Sequence, residues 1–222
     1  KIPKLLGTIF IGTGIGIGPF KNKESIFLTN QKLKNFNLIS VRDQLSFDFI
    51  KKLQIKNRYL TNDLSLNFFN DLQKIKKKKK KEVLICARKF RYVKEYEIHI
   101  EQLINFSKDL EIRNLRPHWF FLQNDNNDYI NTIKKQFKTT IWNPELVTFK
   151  EVFSFFSNAQ LVITSRMHAI YIAGMLEIPF LPIVIHPKLE FASKLFYDKP
   201  LMLKPLDNYN KYLDFFDKID SK

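Results

Sequence analysis

A serine, an arginine and a histidine stand together at positions 165, 166 and 168, directly after a short apolar run. Arg166 offers a planar guanidinium that binds phosphate or carboxylate through paired hydrogen bonds. His168 carries an imidazole that exchanges a proton near neutral pH. Ser165 is predicted to cap the following helix, whose free amides would then face an anion. The alternative is structural, with Arg166 paired to an acid and His168 buried and satisfied.

Further polar side chains follow predicted strands in the same way. They are Arg88, Gln123, Asp125 and Lys188. In open α/β sheets, ligands bind beyond the carboxyl ends of the strands. If these strands are neighbours, two arginines, a lysine and a histidine converge on one cationic crevice.

The elements that must position these side chains alternate along the chain. Strands are predicted at residues 5–12, 38–41, 59–60, 82–87, 118–123, 161–164 and 180–185. Helices are predicted at residues 46–53, 97–110, 128–137, 149–157 and from 166 to about 176. Continuous apolar strands separated by helices indicate parallel sheets covered on both faces, which is the α/β class.

Six consecutive lysines fill residues 76–81, and because like charges repel, this run predicts a surface linker. It separates a first domain, residues 1–75, from a second, residues 82–222. Residues 1–81 carry 18 basic and 5 acidic groups, whereas residues 82–222 carry 19 and 17. The lysine run contains no aromatics, which favours a solvated linker over a nucleic-acid site. The lysine run is also compatible with attraction of the chain to an anionic membrane surface.

A glycine run at residues 12–18 alternates with other residues and ends at Pro19. A dinucleotide-binding loop would lead into a helix. Pro19 stands where that helix should begin, and no helical pattern follows, so we expect a tight loop between packed elements. Farther on, Asp43 or Ser46 is predicted to cap a helix, and Arg42 to make a structural ion pair.

Composition excludes several classes of protein. Of the 222 residues, 45 % are hydrophobic and 14 % aromatic, too many for a disordered chain. The single cysteine, Cys86, excludes an internal disulfide framework and gives no support to a structural zinc site, so a reducing compartment is expected. The longest apolar stretch, residues 161–185, contains charged residues and is read as core, not as a membrane span. The chain begins at Lys1 inside an apolar region, so we expect part of the protein to precede it.

Four blocks of the sequence, taken in order, resemble the polysaccharide pyruvyl transferase family. They are GIGIGP at 14–19; ISVRD at 39–43 with Ser46 and TND at 61–63; Ala87-Arg88 with residues 123–128; and VITSRMHA at 162–169 with EIP at 177–179 and KLEF at 188–191. Two positions depart from the family pattern. Leu64 replaces a proline after Asp63, and Glu177 replaces a glycine before Ile-Pro.

The resemblance implies two Rossmann-like domains arranged as in GT-B glycosyltransferases, with the active site between them and the first domain incomplete in this chain. It also implies transfer of the enolpyruvyl unit of phosphoenolpyruvate onto two hydroxyls of a sugar. The products would be a pyruvate ketal and free phosphate. Phosphoenolpyruvate is then a co-substrate, and no cofactor or metal is expected.

The resemblance also implies residue roles. Arg166 and His168 fall on the family's R-x-H positions for donor binding and catalysis, and Arg88 looks like its donor-binding arginine. Ser165 and Lys188, which follow predicted strands at the same crevice, complete the expected substrate-binding residues. As a mechanism we expect His168 to be the catalytic general acid and Asp63 or Asp128 the base, and the sequence does not choose between these two.

The expected partner is a saccharide acceptor of a cell-surface polysaccharide, including a lipid-linked one, and not nucleic acid. This places the protein in the cytoplasm or at the inner face of the cell membrane, as a peripheral protein. The alternative enzyme is a GT-B glycosyltransferase that uses a nucleotide sugar. A third interpretation is a basic binding protein for nucleic acid or anionic lipid.

Overall fold

The computed structural model describes residues 7–18, 20, 22–53, 55, 57–74, 81–88, 93–122, 128–146 and 148–220, and for residues 93–95, 122, 128, 219 and 220 it describes the backbone only. The chain divides into two compact units, Lys1–Asn67 and Phe68–Lys222. Every strand pair within the two described sheets is parallel. The predicted α/β class is therefore confirmed.

The first unit carries a three-stranded sheet in the order β1-β2-β3. Its elements are β1 (Ile11–Ile15), α1 (Lys23–Leu33), β2 (Leu38–Val41), α2 (Gln44–Lys52) and β3 (Arg58–Leu60), followed by a 3₁₀ helix (Leu64–Phe68) that crosses into the second unit. Ile39 and Val41 of β2 pack with Ile50 of α2, and none of the three is exposed. This apolar contact holds the helix on the sheet.

Two predictions for the first unit are wrong. Residues 7–10 of the predicted strand are not in a strand, and residues 5 and 6 lie outside the described residues. The strand runs from Ile11 to Ile15 and includes Gly12 and Gly14, with an irregular register against β2 between Gly12 and Ile15. A helix, α1, also follows the glycine run. Asn22 caps it by accepting a hydrogen bond from the Ser25 amide at 2.8 Å. Leu33 is the one buried residue of α1. Because the helix packs so little apolar surface against the sheet, its sequence carries no apolar pattern of helical period.

The glycine run is held by serines of the same unit. The Gly14 amide donates to Ser40 Oγ at 2.9 Å, and the Ile17 amide donates to Ser46 Oγ at 2.7 Å. Gly14 has φ of +60°, which favours glycine, and a Cβ there would lie 2.9 Å from Leu64 Cγ. The first half of the run thus lies in β1, and only residues 16–18 form a loop of the kind that the sequence predicts for the whole run.

The second unit carries a five-stranded sheet in the order β6-β5-β4-β7-β8. Its elements are α3 (Phe69–Gln73), β4 (Glu82–Cys86), α4 (Val93–Ile112), β5 (Arg116–Leu122), α5 (Asp128–Gln136), β6 (Lys138–Trp142), α6 (Phe149–Ser157), β7 (Ala159–Thr164), α7 (Met167–Met175), β8 (Phe180–Pro182), α8 (Pro187–Lys194) and α9 (Tyr209–Asp220). The central strand β4 is buried along its whole length. Such burial requires cover on both faces of the sheet.

Strand β8 ends at Pro182, earlier than the predicted residue 185. Beyond it, backbone groups pair with Leu203: the Leu203 amide donates to Pro182 O at 2.9 Å, and the Val184 amide donates to Leu203 O at 2.8 Å. The Ile183 amide still donates to Thr164 O of β7 at 2.7 Å, so the chain beyond β8 contacts both β7 and Leu203.

The predicted linker at residues 76–81 lies outside the described residues except for Lys81, so that boundary stays a prediction. The compact units divide before it, after Asn67. Helix α3 is tied to the second unit, because Gln73 Nε2 donates to the Met175 carbonyl at 2.5 Å.

Glu177, which directly follows the last turn of α7, has φ of +53°. This is the left-handed region, which costs a residue with a Cβ about 1 kcal/mol relative to glycine. We expect Glu177→Gly to raise the free energy of unfolding by about 0.5–1 kcal/mol, measured by denaturant titration. As a matched control, Glu101→Gly within α4 should lower it by about 1 kcal/mol. A destabilised Glu177→Gly would contradict the prediction.

Candidate functional site

The candidate site lies at the carboxyl edge of the second sheet, where the parallel strands all end. Strands β4 and β7 are neighbours there, with Cys86 in register with Thr164. The residues that follow them therefore emerge side by side. This brings Arg88 and Ser165 to the same place, although 77 positions separate them in sequence.

Hydroxyl groups fasten the two strand ends together. Ser165 Oγ accepts a hydrogen bond from the Arg88 amide at 2.7 Å, and Ser165 is 2 % exposed. The Ser165 amide donates to the Cys86 carbonyl at 3.2 Å. Thr164 Oγ1 donates to that same carbonyl at 3.0 Å. The start of the loop that carries Arg88 is thus fixed against β7.

The predicted capping role of Ser165 is wrong. The N-cap of α7 is Arg166, in extended conformation, and no side-chain cap bond is made there. The Ser165 hydroxyl is instead engaged by the Arg88 amide. Thr164 Oγ1 accepts the hydrogen bond of the Arg166 amide at 2.9 Å, so Thr164 positions the residue that begins the helix. The signal in the sequence was the threonine that follows the apolar residues 161–163 at the end of this strand.

Arg166 gives this edge a positive charge. Burial raises the pKa of the Cys86 thiol to about 12, although the charge of Arg166 lowers it in part. The charge of Arg166 therefore acts on the end of β4. Arg166 is partly buried, whereas Arg88 is exposed.

His168 is the second residue of α7 and is exposed. Its ring meets Tyr171 edge-on, with the ring centroids 6.1 Å apart. The predicted alternative of a buried histidine is therefore wrong. The first turn of α7 contains no acidic residue, so its amide dipoles are not offset by a carboxylate there.

Lys188 lies in the first turn of α8, which follows the neighbouring strand β8. Its amide donates to Nδ1 of His186, the N-cap of this helix, at 3.1 Å. Helix α8 packs on α7, and β8 pairs with β7. Three neighbouring strands therefore lead, in turn, to Arg88, Arg166 and Lys188.

The acidic candidates are placed differently. Asp63 belongs to the first unit and is 5 % exposed; its Oδ2 lies 2.6 Å from Arg42 Nη1, and its Oδ1 accepts from the Ser65 amide at 3.0 Å and the Ser65 hydroxyl at 2.8 Å. This confirms the structural ion pair predicted for Arg42. Asp43 caps α2 through the Ser46 amide at 2.8 Å, also as predicted. The role of Asp63 as a base stays a prediction.

Asp128 begins α5, but its side chain and residues 123–127, which include Gln123 and Asp125, lie outside the described residues. Their part in the site stays a prediction. Among the residues whose side chains are described, no three His, Cys, Asp or Glu residues are grouped to hold a metal ion. Within the same part of the chain, no helix is both long and apolar enough to cross a bilayer.

The comparison with protein families gives one match. The model of the family described as polysaccharide pyruvyl transferase matches residues 1–187. The search of curated proteins found no match.

Among solved structures, the chain resembles UDP-GlcNAc 2-epimerase from Methanocaldococcus jannaschii, with a TM-score of 0.63 and 11 % identity over 100 % of this chain and 65 % of the epimerase. It also resembles UDP-N-acetylglucosamine 2-epimerase from Rickettsia bellii, with a TM-score of 0.53 and 10 % identity over 98 % of this chain and 68 % of that one. TarM of S. aureus gives a TM-score of 0.56 and 12 % identity over 98 % of this chain and 45 % of TarM. At these identities the likeness shows a GT-B-like fold alone. The chain spans less than two thirds of the length of the first of these proteins.

Proposed function

Since the chain belongs to the polysaccharide pyruvyl transferase family, we propose that it transfers the enolpyruvyl group of phosphoenolpyruvate to a sugar of a cell-surface polysaccharide. The sugar then carries a pyruvate ketal on two of its hydroxyls, and phosphate is released. The observation that carries this proposal is the hydrogen bond from the Arg88 amide to Ser165 Oγ, which sets Arg88 beside Arg166 at the carboxyl edge.

The donor needs cationic partners because it carries both a phosphate and a carboxylate. Arg166 and Arg88 each present a planar fork suited to such groups, and Lys188 adds a third positive charge from the next strand. The amides of the first turn of α7 favour an anion in the same place. Ser165 supports the site through the backbone of Arg88 and is itself buried.

The chemistry assigned to His168 is proton transfer. The imidazolium gives its proton to the methylene carbon of phosphoenolpyruvate. A sugar hydroxyl bonds to the central carbon, and the proposed base, Asp63 or Asp128, takes its proton. The bond from the central carbon to the phosphate oxygen then breaks. A second hydroxyl bonds to the same carbon, and its proton leaves with the phosphate. The exposed position of His168 at the start of α7 suits its transfer to the donor.

Asp63 and Asp128 remain the two proposed bases. The carboxylate of Asp63 is already engaged by Arg42 and Ser65. These bonds stabilise a turn of the first unit and leave the carboxylate less available for proton transfer. On these bonds Asp63 is the less suitable of the two proposed bases.

The proposed acceptor is a saccharide, which can be lipid-linked, and neither a cofactor nor nucleic acid is proposed. A lipid-linked acceptor would place the protein in the cytoplasm at the inner face of the membrane. The lysine run at residues 76–81 supports peripheral association, since each lysine near an anionic leaflet contributes about 1 kcal/mol.

Thermal denaturation with phosphoenolpyruvate tests the donor assignment. A ligand present at about 100 times its Kd stabilises the native state by about 2.7 kcal/mol, which raises Tm by several degrees. We expect this rise in the wild-type chain and its loss in Arg166→Ala. Arg113→Ala, which removes an exposed ion pair with Asp217, should keep the rise and serves as the matched control.

The alternative enzyme, a glycosyltransferase that uses a nucleotide sugar, is tested in the same assay. Stabilisation by a nucleotide sugar, with none from phosphoenolpyruvate, would replace the proposed function by that alternative. A phosphoenolpyruvate effect that survived in Arg166→Ala would remove Arg166 from the donor site.

A further inference from the structure

Four aromatic side chains of the second unit form a cluster that the proposed donor site does not use. We call Phe68, Trp142, Phe149 and Phe153 the aromatic shelf. Phe149 lies at its centre, with ring centroids 5.4 Å from Trp142, 6.1 Å from Phe153 and 6.5 Å from Phe68. The rings of Phe68 and Phe149 are nearly parallel, at 20°.

The aromatic shelf is unusually exposed to solvent for a cluster of aromatic rings in contact with one another. Phe149 is 60 % exposed and Phe68 is 49 % exposed, although aromatic side chains are strong contributors to cores and interfaces. A contiguous exposed apolar patch of this kind marks a binding surface more often than a scatter of single residues does.

Local structure holds the shelf in place. Phe149 is the first residue of α6, and Thr148 and Glu151 form a capping box at that helix start. Phe153 lies one turn further along α6, on the same side as Phe149. Trp142 is the last residue of β6. The rings therefore sit on the ends of regular elements and not on a free loop.

The position of the shelf relates it to the donor site. Trp142 ends β6, so the shelf lies at the same carboxyl edge of the sheet as Arg166 and His168. Strands β5 and β4 lie between β6 and β7. Three strand spacings place the shelf about 14 Å along the edge from the end of β7.

We propose that the aromatic shelf binds sugar rings of the acceptor glycan, beyond the sugar that receives the pyruvate. This inference rests on the proposed function, since it assigns the shelf to the acceptor of that reaction. A pyranose ring presents apolar C–H faces that stack on aromatic rings, while its hydroxyls stay in water. A linear glycan lying along the carboxyl edge would reach from the shelf to His168.

The chain supplies its own reporter for a binding test. Its two tryptophans are Trp119, which is 0 % exposed, and Trp142 on the shelf. Acrylamide quenching of tryptophan emission therefore reports mainly on Trp142. The probe is a panel of linear neutral oligosaccharides built from glucose, galactose, mannose and their N-acetylated amino sugars. We expect longer members to protect Trp142 from quenching, in the absence of phosphoenolpyruvate.

Phe149→Ala is the decisive variant. It should raise the Kd of the saccharide that protects Trp142 by about three- to tenfold, because ring stacking is lost. Phe27→Ala is the matched control, because Phe27 is 59 % exposed on the first unit, and it should leave affinity unchanged. Both substitutions are at exposed positions, and thermal denaturation of each variant checks that it folds.

Each outcome decides the inference. No protection by any saccharide, or equal protection in Phe149→Ala and wild type, would overturn it. Protection by a polyprenyl phosphate or by self-association of the chain alone would assign the shelf to a lipid or to a second copy, and would overturn it as well. Failure of the proposed function is seen separately, as loss of Arg166-dependent stabilisation by phosphoenolpyruvate, which Phe149→Ala should retain.

Discussion

Replacing His168 by glutamine should lower the rate of phosphate release from phosphoenolpyruvate by about 10²–10⁴-fold, the usual contribution of a positioned general acid. Glutamine keeps a hydrogen-bonding side chain of similar length but transfers no proton near neutral pH. Because the proposed donor-binding charges are those of Arg166, Arg88 and Lys188, the affinity for the donor should change by less than about threefold. The assay uses the full-length protein and the polysaccharide precursor fraction of its own cells as acceptor.

The matched control for this variant is His186→Asn. His186 caps α8 by accepting from the Lys188 amide, and asparagine is a good N-cap that can accept the same bond. This substitution removes an imidazole near the same edge and should leave the rate nearly unchanged. Wild-type turnover in His168→Gln would show that His168 does not transfer the proton. A large loss of rate in His186→Asn would indicate that His186, and not His168, is the histidine on which the reaction depends.

The free energy of unfolding should fall by about 2 kcal/mol between pH 7 and pH 5, and by about 3 kcal/mol at pH 4, through His99 alone. Burial lowers the pKa of His99 from 6.5 to about 4, in a position where the Tyr212 hydroxyl lies 3.4 Å from its Nδ1. The unfolded chain binds a proton below about pH 6.5, whereas the folded chain does not until about pH 4. The stability that neutral His99 contributes is therefore fully present above about pH 7, and it decreases as the pH falls towards 4.

His118 acts in the same direction. Its pKa is lowered by burial and by Lys138, against an opposing effect of Glu82. Its ring is 1 % exposed and lies 2.8 Å from Thr140 Oγ1. The two histidines thus make the second unit sensitive to mild acid.

Denaturant titrations at pH 7, 6 and 5 measure this dependence. His99→Gln should lower stability at pH 7 yet flatten its fall with pH, since the group that titrates is gone. Phe27→Ala, which removes no titrating group, should leave the slope unchanged. A His99→Gln chain with the wild-type slope would show that this imidazole does not set the pH dependence.

Elements buried on both faces are predictable from the sequence. Residues 83–87 and 161–164 are continuous apolar runs, and they lie in or directly beside β4 and β7 at the centre of the second sheet. Helix α6 is predicted at residues 149–157 and forms there, between a capping box and Asn158. In these cases the local pattern and the tertiary environment agree.

Elements at the margin of each unit are less predictable. Helix α1 buries Leu33 alone, and strand β6, at the edge of its sheet, is only partly buried. Neither shows the apolar periodicity on which sequence interpretation depends. The resemblance to a family does not help to predict α1 or β6, because the family's motifs lie mainly in loops that follow other strands.

The same limit applies to the candidate site. The sequence places Arg88 and Arg166 after strands, but only the register of β4 with β7 shows that these strands are neighbours. The role of Ser165 follows from that contact, since its hydroxyl accepts a bond from the amide of Arg88. A side chain that bonds across two strands cannot be distinguished in sequence from one that caps its own helix.

The sole cysteine, Cys86, is fully buried at the end of β4, and its thiol stays protonated at physiological pH. Maleimides and iodoacetamides react with thiolates that they can reach. The wild-type chain should therefore resist such labels without any cysteine being removed. A new cysteine at an exposed position, such as Lys32 in α1 or Lys108 in α4, would take up a fluorophore or spin label selectively. Motion within either unit can thus be followed spectroscopically in an otherwise unaltered protein.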